Sequence, residues 1–203
     1  MNLKAQSSEM TQQTIIKTAI SVLGTEGYAA LTVSKLSKQA GISKGALYHH
    51  FDSLEAVRLR ALERLISDVI KVKEPEGFAS LSEYLRSLGE EHFAILESDE
   101  TSMKALYAFL AEGIFDERAG RRLHEMVESG LEQCGASLKY FVPDLSEEKL
   151  TEMLRVIDAH FVGMLSQWFL NFGRKECRAS WAALSEMIIQ YTGSRSPASQ
   201  TEQ

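Results

Sequence analysis

Residues 32–51 read TVSKLSKQAGISKGALYHHF, and this stretch decides the fold of the N-terminal part of the chain. Two short helical patterns lie on either side of Gly41, which permits a sharp turn between them. The apolar residues of both patterns can pack inward together; they are Val33, Leu36, Ala40, Ile42, Leu47 and Phe51. The pattern predicts a helix-turn-helix whose last helix is capped by Ser43 and ends near His50.

The outward-facing groups of this stretch suit a phosphate-lined groove. Thr32 and Ser43 begin the two helices, where free backbone N–H groups attract anions. A lysine opens the last helix, and an aromatic ring and two imidazoles lie at its end; these residues are Lys44, Tyr48, His49 and His50. Adjacent histidines can also indicate metal, but on a short helix they point to different sides, so no metal site is predicted.

Helical patterns continue on both sides of the helix-turn-helix. A first helix is predicted from Thr11 to Glu26, with Gly27 ending it. A fourth helix is predicted to begin at Asp52, whose carboxylate can cap the first turn while Glu55 reaches back. This fourth helix runs to about Val72 and is expected to be the only continuous connection between the N-terminal head and the rest of the chain.

Over about residues 11–60 the sequence resembles the head of the TetR family of transcriptional regulators. The resemblance implies that the third helix enters the major groove of DNA while the starts of the second and fourth helices touch the backbone. The DNA-contacting residues implied by position are Thr32, Ser34, Ser43, Lys44, Gly45, Ala46, Tyr48, His49 and His50. Many members have a lysine where this chain has Asp52, Ser53 and Leu54, so a weaker phosphate contact is expected there.

The rest of the chain is also predicted to be helical. Only three of the 203 residues are proline, 44% are hydrophobic, and apolar residues recur at three- and four-residue steps. Further helices are predicted at about 79–97, 101–113, 116–141, 146–172 and 179–192. The predicted fold is all-α: a three-helix DNA-binding head (1–54, with a flexible arm at 1–10), joined by the fourth helix to a helical bundle (55–193) for ligand binding and dimerisation, with a disordered tail (194–203).

Charge is distributed unevenly along a chain whose net charge is −6. Residues 1–60 carry seven Lys/Arg against four Asp/Glu, a balance of +3, which leaves −9 for the remainder. This asymmetry fits a DNA-binding head on an acidic body. The polar N-terminus resembles no signal peptide and no stretch is long enough to span a membrane, so a cytoplasmic protein without a membrane partner, disulfide or cofactor is expected.

The long helix at 146–172 and the last helix carry apolar and small residues at helical spacing. The TetR resemblance implies that two such helices from each of two chains form a four-helix dimer interface. The predicted interface residues are Ala159, Gly163, Ser166, Trp181, Leu184 and Ile188. The alternative is that some of these residues form the core of one chain.

Aromatic, methionine and histidine residues of the middle helices and the long helix suit a pocket for an apolar effector. The predicted effector-binding residues are His92, Phe93, Met103, Tyr107, Leu110, His124, Val127, Phe161 and Trp168. The alternative is an ordinary hydrophobic core, because no residue here follows a diagnostic ligand motif.

The function predicted from these features is a homodimeric TetR-type repressor, bound to double-stranded operator DNA of near-palindromic sequence and released by a small apolar or amphipathic effector. An enzyme is the main alternative class, but the sequence contains no HExxH, phosphate-loop or CxxC motif. A second alternative is a DNA-binding scaffold or activator of the same fold without a small-molecule effector.

Overall fold

A computed structural model describes residues 3–69, 73–170 and 173–193 of the chain, and every regular element in these ranges is helical. The α-helices are α1 (Leu3–Glu26), α2 (Val33–Ala40), α3 (Lys44–His50), α4 (Leu54–Val69), α5 (Leu81–Ser98), α6 (Glu100–Gly113), α7 (Glu117–Phe141), α8 (Glu147–Phe169) and α9 (Arg174–Thr192). Short 3-10 turns lie at Tyr28–Ala30 and Pro75–Gly77. The predicted all-α fold is confirmed.

The first helix is longer than predicted, which corrects the flexible arm expected at residues 1–10. Helix α1 begins at Leu3, and the hydroxyls of Thr11 and Thr14 donate hydrogen bonds of 2.9 Å to carbonyls four residues earlier. No glycine or proline interrupts residues 3–10, so nothing in the backbone stops the helix there. Residues 1–2 of the predicted arm and the predicted tail at 194–203 lie outside the described residues.

The last helix also begins earlier than predicted, at Arg174 rather than near residue 179. Gly173 precedes it with a φ of 102°, a conformation that favours glycine. Cys177, in the first turns of α9, is fully buried, so one side of these turns packs against the rest of the protein. Burial raises the pKa of the Cys177 thiol, which makes it a packing residue and a poor nucleophile.

The described residues form two compact units. The head unit contains α1 to α4 together with residues 98–126, and the body unit contains residues 73–97 and 127–193. This division differs from the boundary predicted between residues 54 and 55, which stays a prediction. It also corrects the expectation that α4 alone connects head and body, because the chain passes between the units three times: after α4, after Glu97 and after Met126.

The head unit includes α6 because α6 contributes to the same core as the helix-turn-helix. Ala105 and Phe109 of α6 are buried in one cluster with Ile15, Leu23 and Leu36. The backbones of α1 and α6 also touch: a Cβ added at Gly24 would lie 2.0 Å from the carbonyl oxygen of Thr101. Only glycine permits this approach, so the position of α6 against α1 depends on Gly24.

The core of the body unit is built around Trp181 of α9. Its indole N–H donates a 3.1 Å hydrogen bond to the carbonyl of Leu85, and its ring stacks on Phe161 with centroids 4.7 Å apart. Gly89 leaves room for the indole, since a Cβ there would lie 2.0 Å from the indole nitrogen. Trp181 and Ile188 are each only 4% exposed within one chain, which corrects the prediction that they face a second chain.

Candidate DNA-binding surface

The turn between α2 and α3 has the geometry that its sequence predicts. Thr32 caps α2, with its hydroxyl oxygen accepting a 3.3 Å hydrogen bond from the Lys35 N–H. Gly41 ends the helix in the left-handed region with a φ of 68°, and the Ile42 N–H donates to the carbonyl of Ser37 at 3.0 Å. The chain is thereby redirected within two residues, and α3 starts immediately afterwards.

Helix α3 is short and is fixed at both ends. The Ser43 hydroxyl oxygen accepts a 3.0 Å hydrogen bond from the Ala46 N–H, which caps the first turn. Leu47 is completely buried and Phe51 is 9% exposed, so both anchor α3 in the core of the head unit. A seven-residue helix is unstable alone, and these two anchors explain why it holds its position.

The opposite side of this motif is accessible to a ligand. Six of the predicted DNA-contacting residues have more than a third of their surface exposed to solvent: Thr32, Ser34, Ser43, Lys44, Gly45 and His49. Tyr48 joins them with 52% of its surface exposed, whereas Ala46 and His50 are half-buried. The whole predicted set thus lies on or beside α2 and α3, and the side chains of Lys44, Tyr48 and His49 are exposed to solvent.

The two lysines Lys35 and Lys44 differ in how readily they could bind a phosphate group. Lys35 is paired with Glu26, whose pKa is lowered by the hydrogen bond that it accepts from the lysine. Within the described parts of the chain, Lys44 has no ion-pair partner. An exposed ammonium next to a capped helix N-terminus can hold a phosphate oxygen without first breaking an internal ion pair.

His50 has neighbours that the sequence did not indicate. Its Nδ1 lies 3.4 Å from the Ser8 hydroxyl oxygen of α1, and its ring meets that of His49 edge to face, with centroids 5.4 Å apart. The contact explains its partial burial, and it depends on the unpredicted first turns of α1. Ser8 is therefore a supporting residue for the C-terminal end of α3.

The start of α4 differs from the prediction that Asp52 caps it. Ser53 is the cap: its hydroxyl oxygen accepts from the Ala56 N–H at 3.1 Å, and its carbonyl accepts from the Val57 N–H at 3.3 Å. Glu55, expected to reach back to the cap, instead lies 3.4 Å from the Arg58 guanidinium. Ser and Asp are nearly equal as caps, so adjacent candidates could not be separated by residue type.

The predicted effector-binding residues fall into both units. The head unit holds Met103, Tyr107, Leu110 and His124, and the body unit holds His92, Phe93, Val127, Phe161 and Trp168. Within the body unit His92 stacks on Phe161 with centroids 3.7 Å apart, and Phe93 lies 6.3 Å from Trp168. Desolvation lowers the pKa of His92 to about 4, so its imidazole is neutral at physiological pH.

The other cysteine of the described residues, Cys134, lies in the body unit. Burial raises the pKa of Cys134 to about 11, which keeps the thiol protonated. No group of three His, Cys, Asp or Glu residues in residues 3–69, 73–170 and 173–193 could hold a metal ion. An open groove of about 340 Å³ lies between α7 and α8 in the body unit, but none of the predicted effector-binding residues lines it.

An exposed, capped α3 behind a glycine turn defines a helix-turn-helix protein. Residues 15–61 match the family described as "Bacterial regulatory proteins, tetR family". Two relatives match over more of the chain. The protein named "Probable acrEF/envCD operon repressor" of Escherichia coli strain K12 is 24% identical, over 89% of this chain and 86% of the relative. The icaADBC negative transcriptional regulator IcaR of Staphylococcus epidermidis is 23% identical, over 77% and 75%.

The transcriptional regulator FadR from Bacillus subtilis, solved in complex with stearoyl-CoA, has a similar fold with a TM-score of 0.73. It is 18% identical, and the similarity covers 88% of this chain and 98% of FadR. The family match over residues 15–61, the two relatives and the similar fold together support a DNA-binding transcriptional regulator of the TetR type. None of the described helices is long and apolar enough to cross a membrane.

Proposed function

We propose that this protein is a homodimeric transcriptional repressor, which binds a near-palindromic operator with α3 of each protomer and leaves it when a small apolar or amphipathic effector binds. The accessible side of α3 carries the proposal, because Lys44, Tyr48 and His49 are exposed on a helix that Ser43 and Leu47 hold in place. Repression is supported by the two relatives, one named an operon repressor and the other a negative regulator.

Replacing Lys44 with alanine should weaken binding to every duplex and reduce the slope of log affinity against log salt by about one unit. The reason is that Lys44 is proposed to hold a phosphate, which neutralises one charge and releases its counterion. Fluorescence anisotropy with a labelled duplex at several salt concentrations measures both quantities. Lys175→Ala removes an exposed lysine from α9 and should match the wild type. An unchanged slope and affinity in Lys44→Ala would refute the phosphate contact.

A dimer is part of the proposal because one short helix makes too few base contacts for specificity. Two copies of α3 on a twofold axis, about 34 Å or one DNA turn apart, would contact both half-sites of a near-palindrome. An outer side of α8 supports this arrangement: Ala159 is exposed, Val156 and Val162 are 51% and 39% exposed, and a Cβ added at Gly163 would meet nothing within 4 Å. Small residues there would permit close approach of a second α8.

Ser166 and Leu184 are the other predicted interface residues that keep accessible surface. Both are half-buried in one protomer, and the Ser166 hydroxyl donates to the Val162 carbonyl at 3.2 Å. On α9, Met187 is 61% exposed and Tyr191 is 44% exposed. Exposed apolar area on α8 and α9 of the same body unit is what a four-helix interface would cover.

The effector class is inferred from the body unit and from one similar fold. The stacked pair of His92 and Phe161 and the neighbouring Phe93 and Trp168 offer an apolar environment with one neutral polar group. The FadR structure contains stearoyl-CoA, an amphipathic ligand, which makes this molecule a rational first probe.

Release by an effector makes a quantitative prediction. If an effector weakens operator binding by some factor, operator must weaken effector binding by the same factor. Isothermal titration of stearoyl-CoA, and of hits from a thermal-shift screen of amphipathic compounds, should therefore give lower affinity with operator present. Equal affinities for every compound that binds would contradict effector-controlled release and favour a DNA-binding scaffold or activator.

A further inference from the structure

Arg58 of α4 makes three contacts inside the head unit. Its guanidinium carbon lies 4.4 Å from the centre of the Tyr28 ring, and one terminal nitrogen donates to the carbonyl of Leu31 at 3.4 Å. The other terminal nitrogen lies 3.4 Å from a carboxylate oxygen of Glu55, and the Nε atom is buried. Only 22% of the side chain is exposed, so Arg58 is a poor candidate for a phosphate contact.

The two groups that Arg58 holds lie directly before the helix-turn-helix. Tyr28 begins the 3-10 turn at Tyr28–Ala30, and its carbonyl accepts from the Leu31 N–H at 3.2 Å. Leu31 is 1% exposed and immediately precedes Thr32, the cap of α2. The guanidinium therefore attaches α4 to the backbone from which α2 starts.

Tyr28 extends this attachment to α6. Its ring meets that of Phe109 edge to face, with centroids 5.5 Å apart, and Phe109 is 3% exposed. The Tyr28 hydroxyl is buried without a hydrogen-bond partner among the described residues, and desolvation raises its pKa to about 12. A buried tyrosine hydroxyl without a partner is costly, so the contacts of the ring with Arg58 of α4 and Phe109 of α6 must offset that cost.

We propose that Arg58 is a positioning residue for operator recognition: held between the Tyr28 ring and the Leu31 carbonyl, it fixes the orientation of α2 and α3 relative to α4 and α6. The proposal rests on the proposed operator binding by α3. It assigns Arg58 a role that acts through the protein backbone and not through DNA. Cation–π contacts and charged hydrogen bonds each contribute measurably in partly buried sites, and here one side chain makes both.

This role has different consequences for operator and for unrelated DNA. Contacts with base edges require α3 to be placed accurately at both half-sites, whereas phosphate contacts tolerate displacement. Loosening the start of α2 should therefore reduce operator affinity and leave non-operator affinity nearly unchanged. A phosphate-binding arginine would behave in the opposite way, lowering both affinities and the salt slope.

The test uses the full chain and two labelled duplexes, an operator obtained by in vitro selection and a scrambled duplex of equal length. Arg58→Met, which keeps the length of the side chain, should lose about tenfold in operator affinity and less than about threefold in scrambled-duplex affinity, with an unchanged salt slope. Arg58→Lys should recover most of the loss. Arg64→Met is the matched control, because Arg64 lies on the same helix with 63% of its side chain exposed, and it should match the wild type.

Tyr28→Leu provides a second, independent test of the same attachment. It should reproduce the selective loss, and the double variant with Arg58→Met should lose little more than either single variant, because both changes break the same attachment. Wild-type operator affinity for Arg58→Met, equal losses on both duplexes, or a salt slope lower by about one unit would overturn the proposal. Failure of the wild-type chain to bind any duplex would instead refute the proposed function itself.

Discussion

Gly163→Trp should convert the protein to monomers or weak dimers and lower operator affinity on the order of 100-fold, because two linked half-site contacts become one. Within the protomer the backbone at Gly163 has room for a Cβ, which would meet nothing within 4 Å, and α8 continues through this position. The indole would instead project from the small-residue side of α8 that also carries Ala159, and would separate two backbones that are proposed to meet there. Sedimentation velocity and operator anisotropy on the same sample measure both effects.

Gln133→Trp is the matched control for this experiment. It places the same indole on an exposed position of α7 in the body unit, and we expect a native dimer with native operator affinity. Circular dichroism should show wild-type helix content for both variants. A dimer of native strength in Gly163→Trp would show that Gly163 lies outside the interface.

Trp181→Ala should lower the free energy of unfolding by about 3–5 kcal/mol, the range for removing a large aromatic side chain from a packed core. The variant loses the stack on Phe161 and leaves the Leu85 carbonyl without its indole donor. The cavity cannot collapse easily, because Gly89 opposite has no side chain to fill it. Urea denaturation at a fixed protomer concentration measures the change.

Two further variants separate the contribution of the Trp181 ring to stability from that of its indole N–H. Trp181→Phe can keep an aromatic ring near Phe161 but loses the indole N–H, and should lower the unfolding free energy by about 1–3 kcal/mol. Lys175→Ala, at an exposed position on the same helix, should change it by less than about 0.5 kcal/mol. If Trp181→Ala weakened the dimer while leaving the unfolding of the protomer unchanged, Trp181 would belong to an interface and not to the core.

The helix-turn-helix could be predicted from the sequence because its determinants are local. Gly41 supplies the left-handed turn, Thr32 and Ser43 cap the helices that follow them, and Leu47 anchors α3. Each of these roles depends on residues within about four positions of one another in the chain. The bounds of α2 and α3 accordingly agree with the prediction to within one residue.

The contacts that join distant parts of the chain could not be predicted in this way. Helix α6 belongs to the head unit because Gly24 admits the backbone at Thr101, and no local pattern in either helix indicates that pairing. From the sequence, Arg58 cannot be distinguished from the other arginines of α4, because its contacts with Tyr28 and Leu31 are seen only in the structure. The spacing of Trp181 in its helix fits a dimer interface as well as a protomer core, and only its hydrogen bond to the Leu85 carbonyl separates the two.

Membership of α6 in the head unit has a consequence for the proposed switch. Leu62, Leu65 and Ile66 are buried residues of α4. These three residues lie in the same buried cluster as Phe109 of α6, so a displacement of either helix would reach that cluster. Under the proposed function, α6 and α4 together would transmit effector binding to α3, and Arg58 would connect both to the start of α2.

Recognition of a near-palindromic operator by α3 of two protomers is tested most directly by selection from random DNA. The full chain is used to enrich randomised duplexes of about 30 base pairs, long enough for two half-sites about one turn apart. Wild-type protein should enrich an inverted repeat, while a variant carrying both Lys44→Ala and Tyr48→Ala should not. Enrichment of the same repeat by that variant, or of no common sequence by the wild type, would contradict operator recognition by α3.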